Sequence, residues 1–468
     1  MENFFKIKEH GSTVKTEIIA GLTTFFAMAY IIFVNPNQVT GFTEGLGEIW
    51  NAVYVASILA ATIGTLLMAL YAKMPFAQAC GMGLNSFFFV SFILPQVISG
   101  GDAVQGYQAG LVIILISGII FLVLSLTGAR QYIAKAMPEC LKKAIPAGIG
   151  LFIAFIGFQN VGIIQDNPYT LTQFVDIHGA INGEGGIATV LPALLALLGF
   201  VIIGILAKRK VSGAVIIGII ITTVLYYICS GTVPSFDVTQ IGQSFKDFAA
   251  VGVVGVFKGS SWAHAFSPEF VGGVFSAIMY IITFCLVDMF DTIGTLYGTA
   301  SQADLLDEKG DPQNLDKCMA CDSIATVSGA VLGTSTCTTF VESAAGVAAG
   351  GRTGLTSLVV AICFFISLFL SPLASIVPAC ATAPALIYVG VLMLGNFKKV
   401  DMEDIASAVP AFLTLIMMPL TYSIANGIGI GSIAYTLIAI FTGKFEKKDI
   451  MVAVIGLLFC LKFIFITM

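Results

Sequence analysis

Residues 80–86 read CGMGLNS, and residues 337–343 read CTTFVES. Both begin with Cys and end with Ser. Both open a short apolar run that follows irregular, Gly- or Thr-rich sequence. Two further pairs occur in the same order along the chain. AMAYII at 27–32 matches AIMYII at 277–282, and MPECLKKAIPAGIG at 137–150 matches VPACATAPALIYVG at 377–390. The chain therefore reads as one module written twice. Apolar runs fall near 18–36, 53–71, 80–95, 109–127, 145–162, 190–207 and 213–229. A second set falls near 272–296, 319–333, 341–349, 355–370, 384–396, 405–422 and 427–442. Seven is odd, so the second copy must enter the bilayer upside down. Inverted repeats of this kind mark secondary transporters, which hold their substrate near the midplane where the repeats meet.

The composition agrees with a membrane chain. Of 468 residues only 10% are charged and 57% are hydrophobic, with 49 Gly, and the mean hydropathy is +0.96. A soluble domain carries about 25% charge. A disordered chain, a collagen-like fibre, a disulfide scaffold and an ordinary cytosolic enzyme are excluded. At about 20 residues per span, the length accommodates on the order of 14 spans with short loops. The net charge of −5 and the lack of a basic stripe give no sign of nucleic acid. The ten Cys lie mostly in apolar runs, as small buried hydrophobes. Cys318 and Cys321 form a C-x-x-C with no His nearby, so neither metal nor cofactor is expected. The first apolar run lacks a small-residue cleavage site and reads as a retained span.

Lys and Arg fix the expected orientation. Lys6, Lys8 and Lys15 precede the first run, and Lys73 follows the second. Arg130, Lys135, Lys142 and Lys143 follow the fourth, and Lys208, Arg209 and Lys210 the sixth. The alternate loops at 37–51, 96–108 and 164–187 hold Asp and Glu but neither Lys nor Arg. Lys309, Lys317, Arg352, Lys398, Lys399, Lys444, Lys447 and Lys448 continue the alternation. The chain is expected in the cell membrane with its amino terminus on the cytoplasmic side. The apolar run at 450–467 stands outside the scheme, as a fifteenth span or an interfacial helix.

Four polar residues sit in these runs without an obvious partner. Asp288 and Asp291 lie in ITFCLVDMFDTIGTLYG (282–298), on one helix face by their spacing. Glu342 and Asn85 occupy equivalent positions of the quoted heptapeptides. A central Asp costs roughly 2.5–3.5 kcal/mol to insert. Three such acids together cost about 8–10 kcal/mol, comparable with the whole stability of many domains. They must face a polar cavity, hold protons, or both. Burial disfavours the charged carboxyl, which suits groups that take up and release a proton. The plainer reading is structural, with carboxyls bonded to neighbouring backbone or hydroxyl groups and Asn85 making an interhelical bond. Three acids without a base oppose an anionic substrate. A neutral ligand rich in N–H donors fits, because carboxylates accept and Asn85 both donates and accepts. Phe340 adjoins these groups and is a candidate stacking platform. A cation channel or exchanger using the same acids is the alternative.

The stretches EIIAGLTTFFAMAYIIFVNP, GMGLNSFFF, LVDMFDTIGTL and TSTCTTFVESAAGVAAGGRTGLTS resemble the AzgA-like purine nucleobase permeases. The similarity runs from about residue 15 to 443. It implies an all-α polytopic fold of 14 segments in 7+7 inverted repeats, with short strands in segments 3 and 10. It also implies a core domain at 15–128 and 271–371 and a gate domain at 129–229 and 372–443. Residues 1–14 would be cytoplasmic, 230–270 a long extracytoplasmic loop, and 444–468 a carboxy-terminal segment of open topology. The resemblance further implies proton-coupled uptake of hypoxanthine, guanine or adenine by a homodimer. It maps substrate binding onto Asn85, Asp288 and Glu342 and transport onto Asp291. Distant xanthine and uracil relatives leave open which of Asp288 and Asp291 touches the base.

Overall fold

The computed structural model describes residues 2–127, 137–183, 186–234, 236–302, 305–306 and 312–465. The orienting charges Arg130, Lys135 and Lys309 lie outside the described residues. The chain is a mostly helical polytopic membrane protein. Its first segment is a broken helix, α1 (Val14–Met28) and α2 (Ile31–Val39). Then come α3 (Gly47–Leu67), strand β1 (Gln78–Cys80), α4 (Met82–Phe88) and α5 (Ala103–Thr127). Helix α6 (Glu139–Asn160) leads to a hairpin of β2 (Ile164–Asn167) and β3 (Leu171–Phe174). Helices α7 (Leu191–Lys208) and α8 (Ala214–Ser230) close the first half.

The second half holds α9 (Val274–Gln302), α10 (Leu315–Leu332), β4 (Cys337–Thr339) and α11 (Ser343–Ala348). Helices α12 (Gly354–Ser367), α13 (Ala379–Leu394), α14 (Ile405–Leu420) and α15 (Ile424–Phe441) follow. The last element is α16 (Ile450–Phe465), which packs on α15.

Among the described residues, ten helical runs are long and apolar enough to cross a membrane. The other expected segments fall short for identifiable reasons. Helices α8 and α14 are apolar but have only 17 and 16 residues. Helix α10 carries Asp316, Lys317 and Asp322. Helix α11 has six residues because strand β4 takes the start of its segment. Two features were not anticipated. One is the β2–β3 hairpin, whose residues are mostly exposed. The other is the helical content of the stretch expected to be a long loop. There a helix at Thr239–Asp247 docks on α3, and Asp247 accepts a 2.6 Å hydrogen bond from the Asn51 amide.

Polar groups stitch the helices where packing alone has no direction. Glu17 of α1 is fully buried, and its carboxylate accepts from the Arg352 and Thr353 backbone N–H groups (3.0 and 3.2 Å) and the Thr356 hydroxyl (2.6 Å). It thus satisfies the open N–H groups at the start of α12, where negative charge is also favoured. Glu17→Ala strands those donors. Detergent-purified protein is expected to lose about 3 kcal/mol of stability, read as a lowered melting temperature, with Glu17→Gln losing less.

Candidate functional site

Strands β1 and β4 run antiparallel, pairing Gln78 with Thr339, Ala79 with Thr338 and Cys80 with Cys337. The ladder continues through Gly81 N–H to Thr336 C=O and Phe340 N–H to Ala77 C=O, both 3.0 Å. Small and β-branched residues suit a fully buried ribbon, and all three residues of each strand are buried. Helices α4 and α11 start where the strands end. The ribbon therefore brings Asn85 of the first half and Glu342 of the second toward one region.

Three polar clusters hold the ribbon. In the first, Asp322 of α10 accepts from Gln78 Nε2 (3.1 Å), Thr339 Oγ1 (3.3 Å) and Thr292 Oγ1 (2.6 Å). This carboxylate ties both strands to α9 and α10. In the second, Thr326 donates to Asp288 Oδ2 at 2.7 Å and sits 2.9 Å from the Cys337 carbonyl oxygen, while Cys337 N–H donates back to it at 3.1 Å. The other Asp288 oxygen is buried without a hydrogen-bond partner. In the third, Asn85 donates to Asn35, whose own amide donates to Ser57 and Thr334.

A cavity of about 420 Å³ opens beside the ribbon. Gly81 to Leu84 form one wall, and Thr338 to Glu342 another. Asp291, Gly294, Thr295 and Gly298 of α9 line it with Ile149 and Ile153 of α6. Val389, Leu392 and Met393 of α13 and the exposed Lys399 also line it. The volume lies in the range of small-molecule sites, and an apolar lining with few convergent polar groups is their usual make-up. Glu342 accepts a 2.6 Å bond from the Tyr30 hydroxyl of the broken first segment. Among the described residues, Asp291 takes no protein hydrogen bond, so its carboxylate is available to a ligand.

Of the residues singled out from sequence, Asp291, Glu342 and Phe340 line this cavity together. Asp288 and Asn85 do not line it. They are buried, at 1% and 0% exposure, and engage the strand-holding clusters instead. Sequence reading passed over Tyr30, Asn35, Gln78, Asp322 and Lys399. Tyr30 had a signal, because AMAYII and AIMYII repeat it. Asp322 and Thr326 recur at helical spacing, two polar side chains on one face of α10. Lys399 counted only toward orientation.

The model of a family described as the permease family matches residues 15–430. The guanine/hypoxanthine permease PbuG of Bacillus subtilis is 43% identical over 473 aligned residues, covering 100% of each chain. The adenine permease AdeP of Escherichia coli is 40% identical over 466, covering 100% of this chain and 96% of its own. Among solved structures, the transmembrane domain of the cyanobacterial bicarbonate transporter BicA superposes with a TM-score of 0.58 at 15% identity. That match covers 88% of this chain and 96% of BicA's domain.

Proposed function

We propose that this chain, which belongs to the permease family, carries purine nucleobases into the cell together with protons. It is a transporter and not an enzyme. The observation that carries the reading is the pair of carboxylates, Asp291 and Glu342, on one 420 Å³ cavity beside Phe340. Both come from the second half of the chain, and Gly81 to Leu84 of the first half complete the lining. Purine rings present N–H donors that carboxylates accept, and an aromatic face on which Phe340 stacks. The relatives named for guanine, hypoxanthine and adenine support this substrate class.

In this proposal Asp291 and Glu342 take the base directly. Asn85 and Asp288 position the ribbon, and Asp288 joins Asp291 and Glu342 in proton coupling. The carriers move by alternating access of a core against a gate. Fourteen segments in two inverted repeats remain our reading of the topology, and two contacts support it. Cys80 and Cys337, equivalent in the sequence repeat, face each other with their sulfurs 3.7 Å apart. Gly150 and Gly390, also equivalent, abut so closely that a Cβ on Gly390 would fall 2.5 Å from the Gly150 carbonyl oxygen. A two-fold axis between the repeats would bring equivalent residues together in this way. The cytoplasmic amino terminus rests on the Lys and Arg pattern, and the homodimer on the family resemblance.

The test is uptake of labelled hypoxanthine into proteoliposomes against unlabelled hypoxanthine, guanine, adenine, xanthine and uracil. Purines are expected to compete and uracil is not. Accumulation is expected to follow an imposed inward proton gradient and to vanish with a protonophore. Uptake that ignores purines and responds to metal ions instead would favour a cation channel or exchanger.

A further inference from the structure

A second cavity, of about 240 Å³, lies along the same helix pair as the first. On α4 and its continuation, Met82 to Leu84 line the central cavity, and Ser86 and Phe89 line the second. On α6, Ile149 and Ile153 line the central cavity, and Gln159 and Asn160 the second. Gln38 and Tyr422 complete its wall. Gln159, Asn160 and Tyr422 stand at or just past the carboxy-terminal ends of α6 and α14, whereas Lys399 of the central cavity precedes α14, so the second cavity lies toward the opposite end of these helices.

Its chemistry is unusual for a packing gap. Gln38 is 2% exposed, and its amide nitrogen donates to Ser86 at 3.1 Å, yet its oxygen has no hydrogen-bond partner. The Gln159 oxygen and the Asn160 nitrogen are likewise buried without a partner. Buried amides are normally paired. Three residues that line one cavity thus carry unmet amide atoms, two acceptors and one donor, which a turn of each amide would offer to a planar ring edge with both N–H donors and acceptors. Phe89 and Tyr422 supply the flat apolar surfaces for its faces. No charged residue lines the space, in contrast to the carboxylate-bearing central cavity.

We propose that this outer cavity is a separate recognition site for the nucleobase, from which the base enters the α4–α6 seam toward Glu342. The proposal rests on the nucleobase reading above. It is tested with a Thr43→Cys reporter on the cavity wall, in a Cys229→Ser background because Cys229 is exposed. A membrane-impermeant methanethiosulfonate is applied to the outer side of sealed vesicles. Adenine or hypoxanthine is expected to slow labelling at least threefold, and to do so equally after Glu342→Ala disables the central site. Adding Gln159→Ala and Asn160→Ala is expected to abolish the protection without changing labelling in the absence of purine. Asn160→Asp keeps the shape but replaces the unmet donor with an acceptor, and it is expected to raise the half-protecting concentration at least tenfold. Three results overturn the proposal: no protection, protection lost with Glu342→Ala alone, or protection unaffected by the α6 substitutions. Purine uptake by the parent chain is measured alongside. Its absence removes the nucleobase reading itself, whereas uptake without protection removes only the outer site.

Discussion

Glu342→Ala is expected to reduce purine uptake at least about 100-fold while the protein still reaches the membrane. A hydrogen bond to a charged group contributes about 1.5–3 kcal/mol, and 1.4 kcal/mol is a factor of ten. Glu342 is asked for one such bond to the base and for a share of the transported proton, and alanine supplies neither. Its removal should leave the fold intact, because the protein bond it surrenders is the one from Tyr30 at the cavity wall. Tyr30→Phe separates the two contributions. It deletes that 2.6 Å bond and keeps the carboxylate, so uptake should persist with KM raised roughly fivefold, as for a neutral bond of about 1 kcal/mol. Glu342→Gln keeps the shape and one acceptor oxygen but cannot carry a proton. It should bind base weakly and fail to accumulate it against a gradient. Initial-rate uptake, with immunoblots of membrane fractions, reads all three. Normal uptake by Glu342→Ala would remove this residue from the site.

What could be read from the residues depended on whether a side chain departed from its surroundings. Asp291 and Glu342 stand alone in apolar or small-residue runs, and an acid there has no bland explanation. Both line the cavity. Asp288 stands out equally by sequence, but its spacing from Asp291 fixes only a shared helix side. The few tens of degrees between them decide that one lines the cavity and the other meets Thr326. That distinction depends on how α9 is rotated against the ribbon, which no local pattern encodes. Asp322 escaped notice for the opposite reason. It lies among Asp316, Lys317 and two cysteines, where a polar residue looks ordinary. Its importance appears only once Gln78 and Thr339, distant in sequence, converge on it. The irregular stretches before two short apolar runs were legible in the residues, whereas strands there were implied only by the family resemblance. The β2–β3 hairpin was not, since IQDN and LTQF carry no apolar alternation.

Asp322 and Asp291 should therefore fail in opposite ways when neutralised. Asp322 is fully buried, accepts from three residues on three elements and lines neither of the two cavities described above. Asp322→Ala leaves the Gln78 and Thr339 donors with poor alternatives inside the protein and unties both strands from α9 and α10. A stranded buried donor costs about 1–3 kcal/mol, so a loss of about 3 kcal/mol or more is expected, seen as a much lower melting temperature and poor recovery from the membrane. Asp322→Asn, nearly the same shape, should recover part of that stability. Asp291→Ala removes a carboxylate that accepts no bond from the described protein. Its stability should change by no more than about 0.5 kcal/mol, or rise, because residues placed for a ligand commonly sit at a cost to the fold. Its uptake should nevertheless fall about as far as that of Glu342→Ala. The diagnostic quantity is the ratio of lost transport to lost stability, high for Asp291 and low for Asp322. If Asp291→Ala destabilised the protein as much as Asp322→Ala, the cavity acid would be one more brace of the ribbon. Substrate recognition would then have to reside elsewhere.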